Sequence, residues 1–457
     1  SGIGKSSLIH EVYKPVTQHR GYFVAGKFEQ FQRNVPCSAI SQALSDLVRQ
    51  ILSESSESLA AWRTAILGAL GPSGKVFTEL VPELELLIGP QPELATLGPS
   101  ETENRFQLTV LNFIQVFCIA EHPLVLFLDD LQWADLASLR VLEQLITADL
   151  QQLFLIGAYR DNEVDATHPL TLLLGRLAKE GAQISRVSLR PLAREHIGEF
   201  LSDTLGQSEE SVAPLTELML QKTGGNPFFA GEFLKTLYQE QLITLSEKRQ
   251  WGWNIDLIRA KNITDNVVDL LLGKLRKLPA ETQNVLRLAA CVGNRFELKT
   301  LSVVHERSLA ATASSLLPAQ EEGFVIATAA SEILAEEETG ALHLTASQYR
   351  FAHDRVQQAA YALISSEQRR QIHLQIGMLL LNATAREQRD ERLFEIVDHL
   401  NAGSELISDK AQRENVAQLN LEAAVRAREA TAYQTARQYA AQGLALLRRL
   451  LTATCPA

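Results

Sequence analysis

The stretch HPLVLFLDD (residues 122–130) decides the fold class of this chain. It is apolar from Pro123 to Leu128 and ends in Asp129 and Asp130. A continuous apolar run of this kind is typical of a strand that is buried on both faces, as the strands of parallel sheets are. Polar residues at the carboxyl end of such a strand lie where α/β proteins bind ligands. The stretch therefore predicts an α/β fold with a functional sheet edge.

Other segments repeat the pattern on both sides of this strand. A second buried strand is predicted in LFLIGAYRD (residues 153–161), a third in ISRVSLRPL (residues 184–192), and a short one in GYFVAGKFEQF (residues 21–31). Segments with apolar residues at three- and four-residue spacing, which is the helical period, separate them. Strands that alternate with helices indicate an α/β domain with a mostly parallel sheet.

The first residues, SGIGKSSL (residues 1–8), match the second half of a phosphate-binding loop, G-x-x-x-x-G-K-[ST]. Gly4, Lys5 and Ser6 are its last three positions, and its first glycine would lie two residues before Ser1. The sequence therefore predicts a fragment. Backbone N–H groups of such a turn converge on phosphate oxygens, Lys5 adds a positive charge, and the Ser6 hydroxyl can bind Mg²⁺. For the tripeptide alone, a turn with a helix cap is the alternative.

The two aspartates strengthen the nucleotide hypothesis. Magnesium bound to a nucleotide is held by the loop Ser or Thr and by an acid at the end of a nearby strand. Asp129 fits that position, and Asp130 beside it could orient a water for attack on the γ-phosphoryl group. A buried strand that runs into an acidic turn is the alternative for this element alone. At the end of the next strand, Arg160 could sense the γ-phosphate or be a surface residue paired with Asp161 or Glu163.

Two later motifs leave alternatives open. In KTGGNPFF (residues 222–229), the Gly-Gly-Asn-Pro cluster predicts the end of one helix and the start of another at Pro227. Pro227 could pack on an adenine or simply form the turn. In FAHDRVQQAAY (residues 351–361), His353 follows a predicted strand, where a structural role and a ligand role are both possible.

The domain organisation is predicted from the point, near residue 190, at which the strand patterns of the first domain end. Residues 1–190 are predicted to form a P-loop NTPase core without its first strand, and residues 191–261 an all-α lid. Residues 262–355 have three helical stretches followed by two strand candidates with an acidic linker, which is the order of a winged helix. Residues 356–457 read as helical and end in a pattern close to the tetratricopeptide period, so they are predicted to begin an array of helical repeats.

Composition excludes several classes of function. The 457 residues carry a formal net charge of −11, which argues against nonspecific binding to nucleic acid or to an anionic membrane. The four cysteines lie far apart without a C-x-x-C pair, so neither a zinc site nor a disulfide framework is predicted. A reducing, cytosolic location fits this usage best. No signal peptide and no apolar run long enough to span a bilayer is found.

Taken together, the motifs resemble those of the signal-transduction ATPases with numerous domains (STAND), a branch of the AAA+ P-loop NTPases. They look most similar to the ATPase regions of large bacterial sensor kinases that join a Ser/Thr kinase to a histidine kinase. The resemblance implies that ATP or ADP binds at the loop, with Mg²⁺ on Ser6 and Asp129. It also implies that Asp130 and Arg160 serve hydrolysis. The residues that it implies for nucleotide binding are Ser1, Gly2, Ile3, Gly4, Lys5, Ser6, Ser7, Pro227 at the adenine, and His353 at the phosphates.

Two departures from the family pattern affect these expectations. Many hydrolytic relatives have Asp-Glu where this chain has Asp129-Asp130, and the shorter carboxylate would hold water less well, so turnover is expected to be slow. The strand before the loop is expected between the strand that ends at Arg160 and the one at residues 184–189. Each buried polar group left unpaired by its loss costs ~1–3 kcal/mol. We therefore expect this chain by itself to bind Mg-ATP weakly in calorimetry.

The leading hypothesis is a regulatory ATPase module, a nucleotide-dependent switch within a larger multidomain signalling kinase. Its expected partners are ATP, other domains of the same polypeptide and proteins that bind the helical repeats, without nucleic acid or membrane. One alternative is an interaction scaffold with a degenerate nucleotide site. Another is an ATP-dependent transcriptional regulator, although the would-be recognition helix, LAATASSLLPAQEE (residues 309–322), has no basic residue. Neither an H-R-D loop nor a D-F-G motif of protein kinases is present in the chain.

Overall fold

The structure is a computed structural model. It describes residues 2–18, 20–29, 35–94, 97–148, 150–246, 250–261, 263–328, 331–335, 342–385, 389–430 and 432–453. Packing divides these residues into two compact units. The sheet unit comprises residues 9–185 and 384–453, and the loop unit comprises residues 2–8 and 186–383. This division does not test the boundaries of the four predicted domains, which remain a prediction.

Helices and strands alternate in the first 185 residues. The elements are α1 (Lys5–Gln18), β1 (Tyr22–Lys27), α2 (Ser38–Leu52), α3 (Ser56–Leu70), α4 (Gly74–Leu80), α5 (Glu85–Ile88), α6 (Pro99–Val116), β2 (Leu124–Asp129), α7 (Leu136–Thr147), β3 (Leu153–Gly157) and α8 (Pro169–Lys179). Helix α1 begins in the loop unit and ends in the sheet unit. The predicted alternation is confirmed for these residues.

The sheet of the sheet unit has three parallel strands in the order β1-β2-β3. Strand β2 is central, and its residues from Leu124 to Leu128 are all buried. Burial of each such apolar side chain stabilises the fold by roughly 1.5–3 kcal/mol. The central position explains the continuous apolar run, because both faces of the strand are covered. In the register of β1 and β2, Lys27 lies beside Asp129, so these two residues share the carboxyl edge of the sheet.

Helix α2 packs closely on β1. A Cβ atom added to Gly26 would lie only 1.8 Å from the carbonyl oxygen of Ala39, so a residue without a side chain is required there. The face of α2 that includes Ala39, Ile40 and Leu44 is fully buried. This close packing fixes the end of β1, and with it the position of Lys27.

The strand predicted over residues 184–192 is wrong. These residues form no strand, and β3 pairs only with β2 among the described residues. Ile184 and Val187 are 46% and 75% exposed. The β-branched residues that suggested a strand therefore have neither a ladder partner nor a covered face in the part of the chain that the structure describes.

The loop unit is mostly helical. Its elements after α1 are α9 (Arg194–Leu205), α10 (Glu209–Thr223), α11 (Pro227–Gln239), β4 (Ile243–Leu245), β5 (Trp251–Trp253), α12 (Ile255–Ala260), α13 (Val267–Leu275), α14 (Ala280–Val292), β6 (Arg295–Glu297), α15 (Leu298–His305), α16 (Leu309–Glu321), β7 (Val325–Ala327), β8 (Ser331–Ala335), β9 (Leu342–Ala346), β10 (Gln348–Phe351), α17 (Asp354–Ala362) and α18 (Ser366–Ala383). Strands β4 and β5 pair as a hairpin.

The Gly-Gly-Asn-Pro cluster acts as predicted. Helix α10 ends at Thr223, Gly224 follows in the left-handed conformation, and α11 begins at Pro227. Asn226 caps α11, since its side chain accepts a hydrogen bond from the backbone N–H of Phe229. Phe229 in turn belongs to the buried core of α9, α10 and α11. The two glycines and the cap therefore fix where α11 starts.

The segment from residue 263 to 354 contains one more helix than predicted. Helix α15 and the short strand β6 were missed, and β6, β10 and β7 form an antiparallel sheet in that order. Helix α15 has only eight residues, and its buried residues Leu298, Leu301 and Val304 give too short a periodicity to predict it. Strand β8 lies in the predicted acidic linker, and residues 329, 330 and 336–340 of that linker lie outside the described residues.

The last part of the chain is helical, as predicted. It consists of α19 (Arg389–Ala402), α20 (Lys410–Glu429) and α21 (Tyr433–Ala453), which belong to the sheet unit. Side-chain amides of Asn401 and Asn420 bond each other between α19 and α20, and the Tyr439 hydroxyl donates to Asp398. None of the helices in the described residues is both long and apolar enough to cross a lipid bilayer.

Candidate functional site

The glycine loop leads into helix α1 through two glycines with positive φ angles. Gly2 and Gly4 have φ angles of +80° and +95°, a region that glycine adopts without strain. Helix α1 starts directly afterwards at Lys5, and its first bond runs from the Leu8 N–H to the Gly4 carbonyl. The N–H groups of a first helical turn have no partner within the helix and favour an anion.

The side chains predicted for the loop lie on this turn. Ile3 is in the turn itself, Lys5 is half-buried, and Ser6 and Ser7 are exposed in the first turn of α1. Ser1 lies outside the described residues. The loop thus presents a cation and two hydroxyl groups beside the N-terminus of a helix of 14 residues.

The loop packs on the start of α11. The Phe228 N–H donates a 3.2 Å hydrogen bond to the Gly2 carbonyl oxygen. A Cβ atom on Gly2 would lie 2.9 Å from both Asn226 Oδ1 and Phe228 Cβ, so only glycine fits at this position. Pro227, between these two residues, is the first residue of α11 and is half-buried. The loop and the Asn226–Phe228 segment are therefore in direct contact.

His353 joins the same group of residues. It follows β10 and caps α17, where its Nδ1 accepts a 3.0 Å hydrogen bond from the Arg355 N–H. Its ring stacks on the ring of Phe228, with centroids 3.9 Å apart and planes 13° from parallel. Since Nδ1 is the acceptor, the neutral ring carries its proton on Nε2 and can donate from there.

The two aspartates of the sheet unit differ in environment. Asp129 ends β2, and its Oδ1 accepts from the Asp130 N–H at 2.9 Å. Asp130 has a φ of +55°, which non-glycine residues rarely adopt, and is only 2% exposed. Such a backbone conformation is commonly found at functional positions, where the surrounding structure holds it.

Cations surround the Asp130 carboxylate. Its Oδ2 lies 3.4 Å from Lys27 Nζ, and its Oδ1 lies 3.2 Å from Arg160 Nε. Oδ1 also accepts a 2.8 Å bond from the Gln132 side chain. A buried carboxylate is tolerated only with such compensation. Both oxygens of Asp130 are thus engaged in this structure.

Arg160 is a buried residue, not a surface one. Its side chain is 5% exposed, and its NH1 donates to Glu163 at 3.0 Å, in addition to the ion pair with Asp130. The guanidinium lies 4.7 Å from the centroid of the Trp133 ring, whose Nε1 also donates to Glu163. The surface position considered in the alternative for Arg160 is therefore wrong, whereas its pairing with Glu163 is present.

The sequence analysis missed Lys27 and Gln132, which complete this cluster together with Glu163. Lys27 could have been found, because it lies in the segment predicted to hold a strand (residues 21–31). The observed strand ends at Lys27, on the same sheet edge as Asp129. Gln132 bridges the cluster, since its side-chain oxygen accepts from the Arg160 N–H at 3.1 Å. Its role depends on a loop conformation for which the sequence gives no signal.

The structure thus forms two groups of predicted residues. The loop unit brings together Gly2, the Pro227 turn and His353, whereas the sheet unit brings together Asp129, Asp130 and Arg160. Within the described residues, no cluster of three or more His, Cys, Asp or Glu side chains could hold a metal ion by itself. The roles of Ser6 and Asp129 as Mg²⁺ ligands remain predictions.

One model of a known protein family matches the N-terminal part of the chain. Residues 1–156 match the family model described as an AAA ATPase domain. The resemblance to the AAA ATPases is confirmed. This match includes the glycine loop, β1, β2 and both aspartates. A family of this kind uses a nucleotide and Mg²⁺ in general.

Three curated proteins that are similar to this chain are histidine kinases. Hybrid signal transduction histidine kinase G of Dictyostelium discoideum is 30% identical over an alignment of 548 residues, which covers 98% of the chain and 16% of that protein. Peroxide stress-activated histidine kinases mak3 and mak2 of Schizosaccharomyces pombe are 22% and 25% identical over 72% and 66% of the chain. The chain spans 16%, 16% and 14% of the lengths of these three proteins.

One solved structure is also aligned with this chain. It is a STAND protein with a tetratricopeptide repeat sensor from Pyrococcus horikoshii, 13% identical, with a TM-score of 0.43. The alignment covers 98% of this chain and 54% of that one. A score at this level is too low to establish a shared fold.

Proposed function

We propose that this chain is the nucleotide-operated switch of a larger signalling kinase. The observation that carries the proposal is the Gly2–Gly4 turn, whose two positive φ angles present the N-terminus of α1 and Lys5 to an anion. A nucleotide phosphate is the ligand that such a turn, followed by Lys and Ser, suits best. The match to the AAA ATPase domain supports this choice of ligand.

Each site residue has a proposed role in that switch. Backbone N–H groups of the loop and the Lys5 ammonium bind the phosphates, and Ser6 and Asp129 hold Mg²⁺. Pro227 packs on the adenine, and His353 donates to a phosphate oxygen from Nε2. The half-buried positions of Pro227 and His353 beside the loop support these two roles.

Hydrolysis is proposed to be slow. Asp130 is the base that would orient a water, and Arg160 the residue that would sense the γ-phosphate. Both Asp130 oxygens are engaged by Lys27, Arg160 and Gln132, so a water has to compete with these contacts for the carboxylate. A site that hydrolyses slowly keeps its bound nucleotide long enough to define a signalling state.

The proposed switch acts through the remaining domains. Residues 191–261 serve as the lid, and residues 262–355 as a winged helix that carries His353. Residues 356–457 serve as tetratricopeptide-like helical repeats that bind other proteins. ATP and ADP must bind two arrangements of these parts with different affinity, since a ligand with equal affinity for both shifts nothing. Kinase chemistry itself is assigned to other parts of the same polypeptide.

Substitution of Lys5 by Ala in the full-length protein tests the proposal. Loss of one charge-assisted contact of ~1.5–3 kcal/mol should weaken ATP and ADP binding about 10- to 100-fold and reduce the signalling output. Lys14→Ala is the matched control, because Lys14 is an exposed lysine of the same helix that pairs locally with Glu11. Binding is measured with a fluorescent nucleotide, and output as kinase activity. An output that survives Lys5→Ala would instead indicate a scaffold with a degenerate site.

A further inference from the structure

Three segments that are distant in sequence meet at one aromatic ring. Phe228 contacts the glycine loop through its backbone N–H, which donates to the Gly2 carbonyl oxygen at 3.2 Å. Its side chain stacks face to face on His353, with a centroid distance of 3.9 Å. The first N–H groups of a helix have no partner inside it, so the Phe228 N–H is available for a bond to another segment. Phe228 is thus the residue that links the loop to His353.

We propose that Phe228 is the positioning residue through which His353 is held in place to read the nucleotide. The inference rests on the proposed function, because it assumes that the loop binds a nucleotide phosphate. A His side chain has two rotatable bonds, and it reads a ligand well only when both are restrained. The hydrogen bond from the Arg355 N–H to Nδ1 fixes one edge of the ring, and the Phe228 ring fixes one face. Together these contacts restrict the orientation of Nε2–H.

Comparison with the adjacent Phe229 shows that Phe228 is not a core residue. Phe229 is 4% exposed and belongs to the hydrophobic core of the helices around α11. Phe228 is half-buried and lies outside that core cluster. Two adjacent phenylalanines thus have separate tasks. Phe229 packs α11 into its unit, and Phe228 connects the start of α11 to the loop and to the cap of α17.

The contact between the loop and Phe228 also explains why there is no room for a side chain at Gly2. A side chain at Gly2 would meet Asn226 Oδ1 and Phe228 Cβ at 2.9 Å, so the loop cannot shift toward α11 without moving Phe228. A nucleotide that changes the loop therefore acts on the Phe228 ring, and through it on His353. Aromatic pairs contribute about 0.5–1.5 kcal/mol beyond their burial, which corresponds to about a two- to tenfold change in affinity.

A double-mutant cycle in the full-length protein tests the inference. ADP and ATP affinities are measured for the wild type, Phe228→Leu, His353→Ala and the double variant. Phe228→Leu should weaken ADP binding about two- to tenfold, and should add nothing once His353 has been replaced. Phe228→Tyr keeps the ring face and should restore the wild-type affinity. Phe229→Leu is the matched control, since it makes the same replacement at the adjacent core residue without removing the stack. It should leave the affinity unchanged, provided that thermal unfolding shows the variant to be folded.

The outcomes separate the inference from the function on which it rests. Additive effects of Phe228→Leu and His353→Ala, or an affinity that Phe228→Leu leaves unchanged, would overturn the role of Phe228 alone. A wild-type protein that binds neither ADP nor ATP would overturn the proposed function and this inference with it. A loss that Phe228→Tyr fails to restore would likewise reject positioning by the stacked ring.

Discussion

The carboxyl end of β2 and the glycine loop before α1 are stabilised in different ways. At β2, four ionised side chains compensate one another: Lys27 and Arg160 against Asp130 and Glu163. At the loop, the arrangement comes from backbone conformation, from the absence of a side chain on Gly2, and from two stacked rings. The first site depends on charge balance and the second on shape.

This difference determines which substitutions and which changes of pH each site tolerates. A buried charge cluster loses much stability when one member is removed, since the remaining charge stays in a poorly solvating environment. A site that is built from backbone and rings is insensitive to charge but sensitive to added volume and to altered φ angles. Substitutions and pH should therefore affect the two regions in distinct ways.

Removal of the Arg160 side chain should have the largest effect. Arg160→Ala leaves Asp130, which is 2% exposed, without one of its two cations, and leaves Glu163 without its ion-pair partner. Breaking a buried pair in this way costs about 3–5 kcal/mol in the free energy of unfolding. Urea denaturation of the two proteins measures the loss.

Arg176→Ala is the matched control for that measurement. Arg176 also pairs with a carboxylate of the sheet unit, Glu143, but its side chain is 55% exposed. An exposed pair of this kind contributes little to stability, because solvent screens it. Equal losses for the two variants would mean that burial of the Asp130 cluster has no energetic consequence, and the comparison between the two sites would fail.

Acid should have the next largest effect, and it should act on the loop unit. His373 Nε2 and the Tyr361 hydroxyl form a hydrogen bond of 3.2 Å. Burial of the His373 ring lowers its pKa to about 4, and the positive charge of Arg369 makes a smaller contribution. The unfolded ring takes up a proton near pH 6.5, whereas the folded ring does so only near pH 4. The unfolded state therefore binds more protons between these values, and stability falls as the pH is lowered through them. The loss is on the order of 2–3 kcal/mol.

His373→Gln isolates this contribution. The amide keeps a hydrogen-bonding group near Tyr361 but does not titrate, so unfolding free energies of the variant should depend less on pH between about 6.5 and 4. Burial also lowers the pKa of His305, so part of the acid sensitivity should persist in the variant. A variant with the same pH dependence as the wild type would show that His373 is not kept neutral by burial.

The sequence predicted the parts of both sites that depend on local pattern. An apolar run with two terminal acids identified β2, and a Gly-Gly-Asn-Pro cluster identified the start of α11 at Pro227. Both signals are short-range, since burial on two faces requires a continuous apolar run and a helix start requires a cap. The same local reasoning failed at residues 184–192, where a β-branched pattern forms no strand because no described strand pairs with it.

The contacts between distant segments could not be predicted. Nothing in the local sequence around Lys27 indicates that it pairs with Asp130, more than 100 residues later, although its place at a strand end gave a hint. The stack of Phe228 on His353 joins two segments whose separation is similar. Such pairs depend on tertiary packing, which local periodicity does not encode.

A comparison of two glycines tests the shape-based site and should give the smallest effect. Gly4 has a φ of +95°, and a Cβ atom added to it would meet no atom within 4 Å, so Gly4→Ala adds backbone strain alone, about 1 kcal/mol. Gly2→Ala adds similar strain and also a contact at 2.9 Å with Asn226 and Phe228, for roughly 2 kcal/mol in total. Hydrogen exchange locates the difference: Gly2→Ala should speed exchange of the Phe228 amide, whose acceptor is the Gly2 carbonyl, and Gly4→Ala should not. If both variants speed that amide equally, the loop responds to backbone strain alone, and close packing on Phe228 does not define its shape.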